Sequence, residues 1–267
     1  MSPDLLFFLS LAVKMVVTAA FVVLATYLAE RAGAVVGAMI ATLPIAAGPS
    51  YIFLALDHGP DFIAASALSS LVVNAANCVF AFVYTLLAQR RGLALSVGPA
   101  LMAWVAFASL SRALPWTTAS AVAFNAVVLA SCLAVGNRLR HARMPLVTAR
   151  RYDVPLRAAM VALLVATVVG LSARVGPTIT GMLAVFPIVL LSLTLILHPR
   201  IGGPAAGAVL SNTMLGLVGF SGTCLTARLA VEPLGSAAGL SLALAVSIGC
   251  NLAFWWLRRG KPLPAKA

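Results

Sequence analysis

The sequence predicts an all-α membrane protein, and two observations lead to that prediction. Of its 267 residues, 62% are hydrophobic and only 9% are charged, and the mean hydropathy is +1.07. Soluble domains carry about 25% charged residues, so the composition excludes soluble, disordered and collagen-like classes. The apolar residues form long runs without period-two alternation, and in hydrocarbon such runs satisfy their backbone groups as helices. We therefore expect a polytopic membrane helix bundle.

Charges, prolines and glycines divide the chain into nine segments long enough to cross a membrane. A bilayer core of about 30 Å needs roughly 20 helical residues. The predicted spans one to nine cover residues 8–29, 34–56, 62–88, 93–111, 117–137, 155–173, 176–197, 204–229 and 236–257. The first apolar run has neither a basic region before it nor a clear cleavage site, so it is expected to stay in the protein as a span.

The basic residues predict how the spans are oriented, because cytoplasmic loops hold an excess of Lys and Arg. Alternate gaps on one side hold most of them: Arg31, Arg90, Arg91, Arg138, Arg140, Arg143, Arg150, Arg151, Arg157, Arg200, Arg258, Arg259, Lys261 and Lys266. The other gaps hold only Arg112, Arg174 and Arg228. We expect a bacterial-type inner-membrane protein with its N-terminus outside and its C-terminus in the cytoplasm. The net charge of +12 is dispersed between spans, which favours the lipid bilayer and not nucleic acid as its partner.

The sequence contains an internal repeat. Residues Lys14–Ile45 align without a gap with Arg157–Ile188 at an offset of 143, and nine of the 32 positions are identical. About a tenth would match by chance in so biased a composition. Spans one to four therefore correspond to spans six to nine.

Span five has no counterpart, so an odd number of crossings separates equivalent helices. This predicts two four-helix repeats that are inverted in the membrane and joined by a linker helix. The first repeat would cover residues 1–115, the linker helix and a basic cytoplasmic loop 116–153, and the second repeat 154–260. Inverted repeats of this kind are the architecture of many secondary transporters. Duplication that merely builds a stable bundle is the alternative.

The repeated segments resemble a known family. Residues 37–45 read GAMIATLPI and follow LAER at 28–31, and residues 181–188 read GMLAVFPI. Both blocks are similar to the opening of the GlpM-like family of small four-span bacterial inner-membrane proteins. The resemblance implies a fused tandem of a four-span unit and carries no known activity.

Prolines lie in the middle of spans two and seven. Pro44 and Pro187 each remove a helical hydrogen bond, and Gly48-Pro49 weakens span two further. Discontinuous helices that recur in both halves of a transporter are the best sequence indication of its binding site. The alternative is a simple kink, because neighbouring groups can satisfy the freed backbone.

Uncharged polar residues inside the spans are further candidates. An amide in hydrocarbon must find a partner, which can be another helix or a wet cavity. Both alternatives apply to Asn125 in span five, whereas Asn74 and Asn77 share one face of span three and are the favoured pathway pair. The predicted substrate pathway contains Pro44, Gly48, Pro49, Asn74, Asn77, Pro187, Asn212 and Asn251.

The charged residues limit the kind of solute. All six acidic residues lie at span ends or in loops, which makes a cationic solute and a carboxylate proton relay unfavourable. Lys14 and Arg157 occupy equivalent positions inside apolar sequence and are candidate anion contacts. Their alternative role is to extend toward the membrane interface.

No enzymatic chemistry is predicted. The chain has no H-E-x-x-H motif, no carboxylate pair within a span and no phosphate-binding loop, and no metal or cofactor is expected. The segment Gly219–Gly222 resembles the GxSG motif of intramembrane serine proteases, but no histidine follows His198 to act as its base. Close helix packing explains these small residues better.

These observations predict a secondary transporter of a small neutral or anionic solute. It would work by alternating access, with spans one to four moving against spans six to nine. The alternative is a non-transporting membrane scaffold in an envelope-assembly complex. The sequence leaves the solute, the coupling ion and the oligomeric state open.

Overall fold

The structure, a computed structural model, describes residues 3–31, 44–136 and 152–259. Within these ranges the chain is entirely helical and contains no strand. Its helices are α1 (Pro3–Arg31), α2 (Ala47–Asp57), α3 (Pro60–Ala88), α4 (Leu93–Ser111), α5 (Thr118–Gly136), α6 (Asp153–Ala184), α7 (Ile188–Ile201), α8 (Gly203–Leu234) and α9 (Ser236–Arg259).

Seven of the helices in the described ranges are long and apolar enough to cross a bilayer: α1, α3, α4, α5, α6, α8 and α9. The chain is therefore a multi-pass helical membrane protein, as its composition predicts. Spans three, four, five, eight and nine correspond closely to α3, α4, α5, α8 and α9. The first part of span two, residues 34–43, and the basic loop of residues 137–151 lie outside the described residues.

Spans six and seven are divided at Gly176, close to the predicted boundary, and span seven is interrupted before α7 begins. Span six and the beginning of span seven are joined within α6, where the chain turns at Gly176 with φ +74. Only glycine adopts this backbone conformation without steric cost. The helix then runs from Pro177 to Ala184, is interrupted, and continues as α7 from Ile188.

Helix α3 lies at the centre of the bundle. It packs against α4, α5, α6 and α8, and 72% of its most apolar stretch is buried, compared with 11% for α1. Phe80 and Tyr84 are among its completely buried side chains. Helix α1 packs mainly against α6, so most of its apolar surface faces away from the described bundle.

Side-chain contacts give the direction of the two closest neighbours of α3. Ser66, Ser70 and Asn77 of α3 bond to successive carbonyls of span seven, at Pro177, Gly181 and Val185. Span seven therefore runs parallel to α3. The contacts with α8 follow the opposite order, because Thr85 bonds to the Gly207 carbonyl and Asn74 to the Leu217 carbonyl. Helices α3 and α8 are therefore antiparallel.

Helix boundaries repeat at the offset found in the sequence. Helices α3 and α8 begin at residues 60 and 203, and α4 and α9 begin at residues 93 and 236. Each pair of starts is separated by 143 residues. The glycines at 59, 202, 92 and 235 precede these four starts, which explains why the boundaries coincide.

Small residues allow the backbones around α3 to touch. A Cβ atom added at Gly181 would fall on the carbonyl oxygen of Ser66, and one at Gly203 would fall on that of Ala88. In membranes, where apolar burial adds little between helices, such close approach supplies much of the packing energy. These glycines therefore fix the position of span seven and of α8 against α3.

We predict that Gly181→Ala destabilises the protein by about 1–3 kcal/mol, because the added methyl group meets backbone that cannot move aside. Thermal unfolding of the purified protein in detergent measures the change. Gly216→Ala on α8 is the matched control, since nothing lies within 4 Å of its added Cβ. Equal stability of both variants would contradict the close approach of α3 and span seven.

Candidate functional site

The centre of the candidate site is the interruption of span seven at residues 185–187. The amide of Phe186 bonds to the Leu183 carbonyl at 3.0 Å and the amide of Ile188 to the Phe186 carbonyl at 2.6 Å. These are turn contacts that replace the regular helical ladder. Pro187 has no amide hydrogen, so it ends the first helical part and forms the start of α7.

Asn77 and Trp104 hold this interruption in place. The Asn77 amide donates to the Val185 carbonyl at 3.0 Å, and its oxygen accepts a bond from the Trp104 indole at 2.8 Å. The Trp104 ring also packs edge-on against Phe186, with the ring centroids 5.1 Å apart. Asn77 is only 6% exposed, so its side chain and not water satisfies the Val185 carbonyl and the Trp104 indole.

Ser70 connects the two spans that contain a central proline. Its hydroxyl donates to the Gly181 carbonyl at 2.7 Å and lies 2.7 Å from the Tyr51 hydroxyl. Tyr51 belongs to α2, in the second part of span two. Because Ser70 has no exposed surface, this chain of bonds couples α2, α3 and span seven inside the bundle.

A second polar network joins α3, α5 and α8. The Asn74 amide donates to the Leu217 carbonyl and to the Ser221 hydroxyl, both at 2.9 Å. Ser221 lies 2.7 Å from the oxygen of Asn125, whose amide bonds to the Leu71 carbonyl. The Asn74 oxygen is buried and has no hydrogen-bond partner. An unpaired acceptor in such a place has a free-energy cost of about 1–3 kcal/mol.

An apolar cleft of about 310 Å³ lies between α5 and α8. Asn125 and Ser221 are the only polar side chains among the residues that line it, and the others include Leu71, Val122 and Leu225. Neither Pro44 nor Pro187 contributes to it. The cleft therefore suits hydrocarbon better than a polar solute.

The predicted residues of span two lie at the start of α2. The Gly48 amide bonds to the Pro44 carbonyl at 2.7 Å, and Pro49 is buried in the first turn of the helix. Helix α2 thus begins just after Pro44, as α7 begins just after Pro187. The residues before Pro44 lie outside the described ranges.

The remaining predicted pathway residues lie elsewhere. The Asn212 amide bonds to the Ala208 carbonyl of its own helix at 2.9 Å, while Asn251 is buried in α9. The structure places Asn77 beside the interruption that ends at Pro187. Asn74, three residues earlier on the same helix, contacts α8 instead. The participation of each residue in a substrate pathway stays a prediction.

The two candidate anion contacts have different surroundings. Lys14 pairs with Asp57 at 2.5 Å. Arg157 lies one helical turn after Asp153, and its buried Nε has no hydrogen-bond partner. A role for either cation with an anionic solute remains a prediction.

The described residues contain no group of three His, Cys, Asp or Glu side chains that could hold a metal. His198 of α7 lies 2.8 Å from the Tyr84 hydroxyl, and His58 lies 2.7 Å from the Ser172 hydroxyl. His198 therefore joins α7 to α3, and His58, which directly follows α2, contacts α6.

Sequence reasoning missed several residues of this site. Trp104, Tyr51 and Ser70 are ordinary residues within apolar runs, and nothing in their spacing indicates what they contact. The only available signal is that Trp and Tyr in a span need a partner for their polar hydrogen. Ser221 belongs to the Gly219–Gly222 segment that the sequence assigns to helix packing, and in the structure its hydroxyl also bonds to Asn74 and Asn125.

Comparison of the chain with protein-family models, with curated proteins and with solved structures gives no match.

We predict that Asn77→Ala destabilises the protein by about 1–3 kcal/mol for each buried group it leaves unpaired. These groups are the Val185 carbonyl and the Trp104 indole. Chemical unfolding in micelles, monitored by tryptophan fluorescence, measures the loss. In Asn212→Ala the lost bond lies within one helix, so this control should change stability much less. An unaltered Asn77→Ala variant would show that the interruption does not depend on this side chain.

Proposed function

We propose that the protein is a secondary transporter of a small neutral or anionic solute that works by alternating access. The observation that carries this proposal is the interruption of span seven at Pro187, bonded to Asn77 at the centre of the bundle. Interrupted helices near the midplane expose backbone groups that can bind a solute. A second short helix, α2, begins next to Pro44 in the equivalent span.

The arrangement of α3 and α8 supports an inverted repeat. These helices begin 143 residues apart and pack antiparallel. Where they cross, Asn74 bonds to the carbonyl of Leu217, and these two positions are also 143 residues apart. A pseudo-two-fold axis in the membrane plane would bring equivalent positions of equivalent helices together in this way. Two such halves can move against each other around a central site.

The groups around the interruption favour a neutral solute over an anionic one. They are the Asn77 amide, the Trp104 indole, the hydroxyls of Ser70 and Tyr51, and backbone carbonyls. The sequence of residues 34–43, the first part of the predicted span two, contains no charged residue. Lys14 is already paired with Asp57. An anionic solute would rely on Arg157 and on the amide groups at the start of α7.

Two observations favour the second candidate, a membrane scaffold. The described cleft does not touch Pro44 or Pro187, and a packed core needs no solute pathway. Helix α1 also presents a long apolar surface away from the bundle, with Phe8 and Val16 more than 60% exposed. A partner helix could cover that surface as readily as lipid.

Thiol accessibility distinguishes the two candidates. In a chain whose four native cysteines are replaced, we expect Thr180→Cys and Gly48→Cys to react with a membrane-impermeant maleimide. Both probes flank the interruptions, and transport requires that water reaches them from one side of the membrane and then from the other.

The controls are chosen from exposed loops and from the packed interior. Leu114→Cys and Arg91→Cys lie in exposed connections and should always react, whereas Val168→Cys in the packed part of α6 should stay silent. Silence of both central probes, with normal loop labelling, would contradict transport and favour the scaffold.

A further inference from the structure

Two ion pairs tie the short helices to the long ones. Lys14 of α1 pairs with Asp57, the last residue of α2, at 2.5 Å. Arg200, near the end of α7, pairs through both terminal nitrogens with Asp153, the first residue of α6. In each pair the far end of a span with a central proline is therefore bound to the first helix of its own half.

These two pairs lie near opposite ends of the central helix. Asp57 precedes the first residue of α3 by three positions. Arg200 lies beside the last turn of α3, where His198 contacts Tyr84 and Gly203 touches Ala88. A helix of 29 residues is about 43 Å long, which exceeds the hydrocarbon thickness of a bilayer. The pairs thus lie toward opposite membrane surfaces.

The two charges on the short helices occupy equivalent positions but have opposite sign. Asp57 and Arg200 are 143 residues apart, which is the offset of the internal repeat. Lys14 corresponds to Arg157, and Asp153 lies one turn before Arg157 on the same helix. The short helix thus carries the anion in the first half and the cation in the second. An ion pair between the short helix and the first helix thus recurs in both halves, with its charges exchanged and its partner on the first helix one turn away from the matched position.

The Asp153–Arg200 pair is the better shielded of the two. The side chains of Arg200 and Asp153 are 11% and 14% exposed, whereas in the first pair Lys14 is 13% and Asp57 is 38% exposed. The Arg200 guanidinium also lies 5.3 Å from the centre of the Tyr152 ring. Removing one partner of a poorly solvated pair leaves the other charge uncompensated, which costs more than the loss of an exposed pair.

We propose that Lys14–Asp57 and Asp153–Arg200 are the two gates of the molecule, one at each membrane surface. This inference rests on the proposed transport function. Each pair holds the far half of one interrupted span against the bundle, and breaking it releases that half while the other gate stays closed. In span seven the part before the interruption need not move, since no continuous helical ladder joins it to α7.

The test uses the full-length protein, without its native cysteines, in membrane vesicles of both orientations. Leu54→Cys reports on the first gate and Ile196→Cys on the second, because both side chains are buried about one turn before the gate residue. Asp57→Asn should raise maleimide reactivity at position 54 about tenfold, from one membrane face only, through loss of its ion pair. Arg200→Gln should do the same at position 196 from the opposite face.

The chain supplies a matched control and a rescue. Arg228 and Glu232 form an ion pair of equal length, 2.5 Å, within one helix, so Arg228→Gln should leave both probes unchanged. Exchanging the first pair, with Lys14→Asp and Asp57→Lys together, gives it the polarity of the second and should return position 54 to low reactivity.

The outcomes separate this inference from the proposed function. The gate assignment would be overturned if one gate variant raised maleimide reactivity at both positions 54 and 196, or at neither. The transport proposal would survive that result if Thr180→Cys still reacted from both membrane faces. If Thr180→Cys is silent in every variant, the transport proposal fails, and the gates fail with it. Failure of the exchanged pair to restore protection would also overturn the assignment.

Discussion

An interrupted helix inside a bilayer depends on hydrogen-bond donors from its neighbours, because the hydrocarbon core contains no water to replace the missing bonds. In this protein α3 supplies them. Ser66, Ser70 and Asn77 lie along one face of α3 and donate to three carbonyls of span seven, on both sides of Gly181 and up to the break. Without this polar face, span seven would have to be a continuous helix or leave the membrane interior.

The burial of α3 follows from the same requirement. A helix that carries polar residues on several faces is stable in a membrane only when other helices surround it. Asn74 points to α8 while Asn77 points to span seven and α4. Close contacts at Gly181 and Gly203 bring the neighbouring backbones within bonding distance of these short side chains. The small residues allow the helices to approach, and the polar residues then bond across the contact, so both are needed to position the interruption of span seven.

Much of the architecture follows from the sequence. Long apolar runs predict the membrane helices, Pro187 predicts the interruption, and the glycines at 59, 92, 202 and 235 mark where four helices begin. The predicted boundary between spans six and seven falls at Gly176, where a non-helical backbone angle divides α6 into two helical parts. The positions of residues along one helix cannot tell which helix lies beside it. For that reason the bond of Asn77 to Val185, the role of Trp104 and the partner of Lys14 were not predicted.

In the proposed transport cycle, the ion pairs anchor short helices that also have to move. Helices α2 and α7 are too short to cross a bilayer alone, and each is fixed at its far end by an ion pair. Tyr51 of α2 also bonds to Ser70 of α3. Motion of such a helix requires the loss of a few localised bonds and leaves the long helices intact. This is how small changes at one place become rigid-body movements in packed proteins.

Hydrogen–deuterium exchange of the protein in lipid nanodiscs tests the central claim most directly. An interruption of span seven that water can reach predicts fast exchange of the Val185, Phe186 and Ile188 amides. The amides of α3 between residues 70 and 80, which lie in regular helix at the centre of the bundle, should stay protected. Protection of the three amides equal to that of α3 would contradict the account, because it would mean that water does not reach the interruption.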